Sequence, residues 1–116
     1  MDNIEIVRGT TLALVIKIMD SDGGVYEMQS GDIVRFGVKR DRELKDYALK
    51  KEAVYNDADH TFIVKLTPED TADLEFSRYW YDVGLQNKSG DYYMIIEASA
   101  FDIVTAITAK EGDNES

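Results

Sequence analysis

The chain contains no cysteine, so disulfides, thiolate nucleophiles and cysteine-bound metal centres are excluded. It has a single histidine, His60, from which a catalytic triad or a histidine metal site would have to be built. No apolar run approaches the roughly 20 residues of a membrane-spanning helix, and the first residues lack the features of a signal peptide. We therefore expect a cytoplasmic protein that is not an enzyme and that holds no metal or other cofactor.

Positive charge is also scarce, because 13 lysine and arginine residues face 23 aspartate and glutamate residues, for a formal net charge of −10. Such a chain is repelled by phosphate backbones and by anionic lipid surfaces. We expect neither a nucleic-acid partner nor a membrane partner. The length predicts one domain over residues 1–110, followed by an acidic, disordered tail at residues 111–116.

No segment repeats its apolar residues at the period of a long helix. Instead, short runs alternate apolar and polar side chains, which is typical of strands with one face on a core. The runs cover residues 12–19, 25–28, 33–39, 50–55, 61–66, 79–85, 92–97 and 101–107. They predict an all-β sandwich of about seven to nine strands, with a small closed barrel as the alternative. The predicted core contains Leu14, Ile16, Val34, Phe36, Val64, Tyr81 and Val83.

One short helical turn, from Pro68 to Leu74, interrupts this pattern. Thr67 can accept the free N–H groups at its start, and Pro68 needs no partner there because it has no N–H group. The carboxylate of Asp70 would lie at the positive end of the turn. We interpret the turn as the connection that carries the chain from one sheet to the other.

His60 follows a turn, and no serine in this chain has the setting of a nucleophile elbow. We therefore interpret His60 as a solvated loop residue. Asp20, Asp22 and Gly23 resemble the beginning of a calcium loop, but the later ligand positions are missing. A turn whose aspartates bond their own backbone explains these residues better.

Aromatic residues offer a candidate platform for stacking against sugars or for a subunit interface, formed by Trp80, Tyr92 and Tyr93 with the loop tyrosines Tyr47 and Tyr55. Both neighbours of Trp80 on its strand belong to the core pattern, so Trp80 should face outward. Alternatively, a neighbouring strand or the charged loop that contains Tyr47 covers it. Consecutive Tyr92 and Tyr93 must point to opposite sides of their strand.

Several features together resemble small Ig-like β-sandwich proteins of prophages and phage tail regions. These features are Asp20-x-Asp22-Gly23, Gly31-Asp32-x-Val34-x-Phe36, Leu66-Thr67-Pro68-Glu69-Asp70-Thr71, Tyr79-x-Tyr81-Asp82-Val83 and Phe101-x-Ile103. The chain is similar to the N-terminal domain of phage baseplate upper proteins. The resemblance implies an Ig-like antiparallel sandwich, a role in the virion, and no enzymatic residues.

The sequence is compatible with three functions. The first is a non-enzymatic structural or assembly protein of phage tail or baseplate type, which forms a homo-oligomer or binds other tail subunits and moves from the bacterial cytoplasm into the virion. The second is a carbohydrate-binding or adhesion module that uses the exposed aromatic residues. The third, a hydrolase, lacks any recognisable catalytic motif.

Overall fold

The computed structural model describes residues 3–105 as two packed sheets. The elements are β1 (Ile4–Val7), β2 (Leu12–Ile16), β3 (Ile33–Lys39), β4 (Leu49–Glu52), β5 (Val54–Asn56), β6 (Thr61–Leu66), α1 (Pro68–Ala72), β7 (Arg78–Gln86) and β8 (Tyr92–Val104). The larger sheet has the order β1-β8-β7-β3-β4 and the smaller has the order β2-β6-β5. This arrangement confirms the all-β sandwich. The predicted tail at residues 111–116 and the end of the last predicted strand lie outside the described residues.

The core lies between the sheets, on the faces that the alternation predicted. Phe36, Tyr81 and Phe101 form its centre, with ring centroids 5.5 to 6.1 Å apart. Of the predicted core residues, Leu14 is only partly buried, because it lies on an edge strand. The other predicted core residues are buried, namely Ile16, Val34, Phe36, Val64, Tyr81 and Val83.

The predicted strand at residues 50–55 is wrong as a single element. It divides at Ala53 into β4, which pairs with β3 in the larger sheet, and β5, which pairs with β6 in the smaller sheet. The Ala53 N–H group donates to the carbonyl oxygen of Val34 at 2.8 Å. Ala53 is therefore the point at which the chain leaves one sheet for the other.

The predicted strand at residues 25–28 is also wrong, because this segment makes only an isolated bridge between Met19 and Val25. The buried carboxylate of Asp32 accepts the Tyr26 hydroxyl and the Gln29 N–H group, which draws the segment away from a regular ladder. Burial, together with the hydrogen bond to Asp32, raises the pKa of Tyr26 to about 12, so the hydroxyl remains a donor.

The two strands predicted at residues 92–97 and 101–107 are joined in the single strand β8. Its register with β7 shifts between Tyr81 and Val83 and again between Val83 and Gly84. Each shift is a bulge with one additional residue on β8. Because each bulge accommodates one additional residue, β8 continues as one strand where the apolar–polar alternation is broken.

Strand β1 was not predicted, and it makes the sandwich depart from a purely antiparallel arrangement, because it pairs with β8 in parallel. The Arg8 N–H group donates to the Val104 carbonyl oxygen at 2.9 Å. Gly9 then turns the chain at φ +79°, and its N–H group donates to the buried Thr71 hydroxyl at 2.9 Å. In the usual seven-stranded immunoglobulin sandwich the first strand covers the second. Here it joins the other sheet and leaves β2 at an edge.

The predicted helical turn is confirmed as α1, and it connects β6 in the smaller sheet with β7 in the larger. Thr67 and Asp70 form a capping box, in which the Asp70 carboxylate accepts the Thr67 N–H group at 2.7 Å. The same carboxylate lies 3.0 Å from the Lys51 ammonium on β4. Burial alone would raise the pKa of Asp70, but the Thr67 N–H group and Lys51 outweigh it and lower that pKa.

Candidate functional site

The edges of the two sheets differ in how well they are protected against pairing with another chain. Natural edge strands are protected by charge, proline or shortness. In the described part of the chain, β1 carries Glu5, β4 carries Lys50, Lys51 and Glu52, and β5 has only three residues. Strand β2, with the sequence Leu-Ala-Leu-Val-Ile, has five residues with neither charge nor proline. It is the least protected edge.

A groove of about 500 Å³ lies beside this edge, between the two sheets. Its apolar lining includes Ile4, Leu14, Ile16, Val83, Ile95 and Ile96. Consecutive residues on a regular strand point to opposite faces, but the bulges in β8 allow both Ile95 and Ile96 to line the groove. The groove is therefore a place where side chains of an added strand could be buried.

The outward face of the smaller sheet carries a row of three apolar side chains. Val15 on β2 and Val54 on β5 both pair with Ile63 on β6, which lies between them. Val15 is 64% exposed and Val54 is 70% exposed. This row, Val15-Ile63-Val54, continues the apolar character of the β2 edge across the sheet.

The segment around β2 also differs in charge from the rest of the molecule. Residues 6–19 contain Arg8 and Lys17 but no acidic residue, in a chain of net charge −10. The acidic turn that contains Asp20 and Asp22 follows immediately. The segment is therefore basic near both of its ends, and acidic residues follow just beyond its C-terminal end.

Trp80 lies on the outward face of the larger sheet, as the alternation predicted, and is partly buried. Its strand neighbours in register are Lys39 on β3 and Ala100 on β8. The guanidinium carbon of Arg42, in the loop before β4, lies 5.2 Å from the centre of the indole. The loop therefore covers part of the indole, and the rest of it is exposed.

Tyr47, in the same loop, covers the outward side of Gly37, where an added Cβ would lie 2.7 Å from the tyrosine ring. The ammonium groups of Lys39 and Lys50 each lie 4.9 Å from the centre of this ring. Cation–π contacts of this kind hold the loop on the sheet. A side chain larger than hydrogen at position 37 would displace the ring.

Tyr92 and Tyr93 are both exposed and lie at the start of β8, opposite Gln86 and Leu85 respectively. Tyr92 is on the outward face with Trp80, and its hydroxyl lies directly over Gly84. Tyr93 belongs to the opposite face, so it cannot join the same surface. The structure therefore brings Trp80, Tyr47 and Tyr92 to one face and separates Tyr93 from them.

Between Tyr47 and Trp80 is a depression of about 240 Å³. Its lining includes Lys39, Arg42, Tyr47, Trp80, Asp82 and Ala98. Within residues 3–105 the Asp82 carboxylate has neither a hydrogen bond nor an ion pair within contact distance. Burial raises its pKa, and the nearby Lys39 charge opposes that change. Asp82 is thus a partly desolvated acceptor that points into an aromatic depression.

The remaining candidates make contacts within the protein. His60 is partly buried rather than solvated, has φ +57°, and its Nδ1 atom lies 2.9 Å from the Tyr55 hydroxyl. The Asp20 carboxylate accepts the N–H groups of Asp22 and Gly24, as a turn of this type requires. Among residues 3–105, no group of three or more histidine, aspartate or glutamate side chains could hold a metal ion.

Comparison of the chain with protein-family models and with curated proteins gives no match. In the part of the chain that the structure describes, no helix is long and apolar enough to cross a membrane. The surfaces described above are therefore the basis for any functional conclusion.

Proposed function

We propose that this protein is a non-enzymatic structural module of phage tail or baseplate type that works through protein–protein contacts, first in the bacterial cytoplasm and then in the virion. The observation that supports protein–protein contacts is the β2 edge, which has no charge or proline and adjoins an apolar groove. An edge of this kind pairs readily with another strand, since its main-chain groups are unpaired and its side chains favour burial.

The partner that fits this edge best is the β2 strand of a second copy. Antiparallel pairing of two identical strands gives a two-fold symmetric contact, the commonest symmetry of homo-oligomers. In a register centred on Leu14, the Leu12 side chain of each copy lies opposite Ile16 of the other, and Lys17 lies opposite the neutral Thr11. Two like charges therefore do not meet.

Charge supports the same orientation. The basic beginning of the segment, at Arg8, would lie near the acidic turn at Asp20 of the other copy. The two small sheets would form one continuous sheet of six strands. Val15 of each copy would lie opposite Ala13 of the other, so the two Val15-Ile63-Val54 rows would lie side by side, offset by two residues along the strands.

Hydrogen exchange at two protein concentrations tests the proposed contact. The amides of β2 that point away from β6 should become more protected at the higher concentration, while those of the β4 edge should not change. Equal behaviour of both edges would contradict pairing through β2. The phage part of the proposal is tested separately by the genes that flank this one, which should encode tail, holin and lysin proteins.

A further inference from the structure

The outward face of the larger sheet carries a second feature, which the assembly role does not use. Trp80, Asp82 and Gly84 follow one another on the same face of β7, about 7 Å apart along the strand. Tyr47 approaches this row over Gly37, which pairs with Asp82, and Tyr92 approaches it over Gly84. The rings of Tyr47 and Trp80 therefore lie beside the Asp82 carboxylate, and the Tyr92 ring lies farther along the same face.

The strand ladder is irregular at the same place. Tyr81 pairs with Ser99 and Val83 with Ile96, so one residue of β7, Asp82, faces two residues of β8. Ala98, which lies in this bulge, contributes only a methyl group to the depression. The bulge therefore leaves open space beside Asp82 that a regular ladder with larger side chains would fill.

The depression contains both kinds of hydrogen-bonding group. Asp82 is an acceptor without a hydrogen-bonding partner in residues 3–105, while the ammonium of Lys39 and the guanidinium of Arg42 are donors at its rim. An anionic ligand would meet the Asp82 carboxylate, and a cationic ligand would meet Lys39 and Arg42. A neutral ligand that offers both hydroxyl hydrogens and hydroxyl oxygens matches all three groups.

The walls favour a ligand with apolar C–H surfaces as well as hydroxyl groups. Trp80 and Tyr47 present amphipathic rings, which pack well against a ligand that is apolar on one side and polar at its rim. The volume of about 240 Å³ is below the roughly 300 to 1,000 Å³ of pockets for drug-sized molecules. The space therefore suits one small ring rather than an extended ligand.

We propose that this depression binds one ring of a neutral saccharide, with Asp82 accepting hydrogen bonds from its hydroxyl groups, Lys39 and Arg42 donating to them, and Trp80 and Tyr47 packing against its C–H face. This inference goes beyond the proposed assembly function and does not depend on it. The binding site lies on the outward face of the larger sheet, whereas the assembly contact uses the edge of the smaller one.

Trp80 is the only tryptophan in the chain, so its fluorescence reports directly on this site. We would titrate the protein with glucose, galactose, mannose and N-acetylglucosamine, each to about 100 mM, a range that covers weak binding of a small ligand. At least one sugar should change the fluorescence and reach saturation. Asp82→Asn should weaken that binding about tenfold, since it replaces a charged acceptor.

Asp57→Asn is the matched control, because it makes the same change in an exposed turn, and it should leave the affinity unchanged. Melting curves of both variants verify that they are folded. The proposal is overturned if no sugar gives a saturable change, if Asp57→Asn weakens binding as much as Asp82→Asn, or if inorganic phosphate or choline binds more tightly than every sugar.

Discussion

Strand β4 forms one edge of the larger sheet and strand β2 forms one edge of the smaller sheet. The side chains of β4 are mostly charged, whereas those of β2 are all apolar. Strand β4 contains Lys50, Lys51 and Glu52. Lys51 forms an ion pair with Asp70, and Lys50 lies against the Tyr47 ring. Strand β2 has no charged side chain that could repel a partner or bond within its own molecule. Side-chain chemistry, rather than topology, thus distinguishes the charged β4 edge from the uncharged β2 edge, to which we assign the proposed contact.

The capped turn is bonded to the β4 edge through one carboxylate. Asp70 stabilises α1 through the Thr67 N–H group and at the same time holds Lys51 of the β4 edge. Strand β2 has no charged side chain for such a bond; it is held by its pairing with β6 and by its inward side chains.

The largest effect is expected from the core that both edges share. Phe36 is fully buried on β3, and Phe36→Ala should lower the free energy of unfolding by about 3–5 kcal/mol. A denaturant titration measures this loss. Phe76→Ala is the control, since Phe76 is exposed and contacts the Arg8 guanidinium, and it should cost at most about 1 kcal/mol. A loss below about 1 kcal/mol for Phe36→Ala would mean that the core assignment is wrong.

Trp80→Ala separates the β2 edge from the outward aromatic face as the place of association. Only part of the indole is removed from water, so the free energy of unfolding should fall by about 2 kcal/mol. The concentration dependence of sedimentation should remain as in the wild type. Loss of association with an unchanged melting temperature would place the contact on the aromatic face instead.

Asp70→Ala tests the link between the turn and the β4 edge. It removes the cap and the Lys51 pair, and should cost about 1 kcal/mol at neutral pH. Because the pKa of Asp70 is lowered in the folded protein, its contribution is present above the unfolded value of about 3.9 and is lost as the pH falls through the folded value. The difference between wild type and variant should therefore shrink below about pH 4.

Asp73→Ala is the matched control for this experiment. Asp73 is exposed at the end of α1, and its replacement should change the free energy of unfolding by less than about 0.5 kcal/mol. A difference between wild type and Asp70→Ala that stayed constant down to pH 2 would contradict the role of the ionised carboxylate.

Salt should have the smallest effect. A chain of net charge −10 repels its own copies, and raising the salt concentration screens this repulsion over a Debye length of about 10 Å at 0.1 M. Self-association through an apolar edge should therefore strengthen slightly. Sedimentation at low and high salt measures the change, and marked weakening at high salt would indicate a contact held together by ion pairs.

Much of the fold could be predicted because it follows from local patterns. Alternation identified the inward residues of β3, β6 and β7, and the residues around Pro68 identified α1. The division at Ala53 could not be predicted, since residues on both sides favour a strand and only distant partners decide which sheet each joins. Strand β1 is four residues long, and its parallel partner lies at the other end of the chain.

The candidate surfaces were predictable to a similar extent. The outward position of Trp80 followed from its neighbours, but the approach of Tyr47 depends on the packing of a loop. Gly37 and Gly84, in the middle of predicted strands, were a signal that another group comes close to the backbone there. The free edge of β2 could not be predicted, because it results from the pairing of β1 with the other sheet.

The central claim is that copies associate through β2. Placing a charge on this apolar strand tests it most directly. Val15→Lys places a charge on β2, and sedimentation over a range of concentrations should then show a monomer where the wild type associates. Val54→Lys makes the same change on β5, where Val54 is similarly exposed, and should leave most of the association intact. A wild type that stays monomeric at every concentration, or a Val15→Lys variant that associates as the wild type does, would contradict the account.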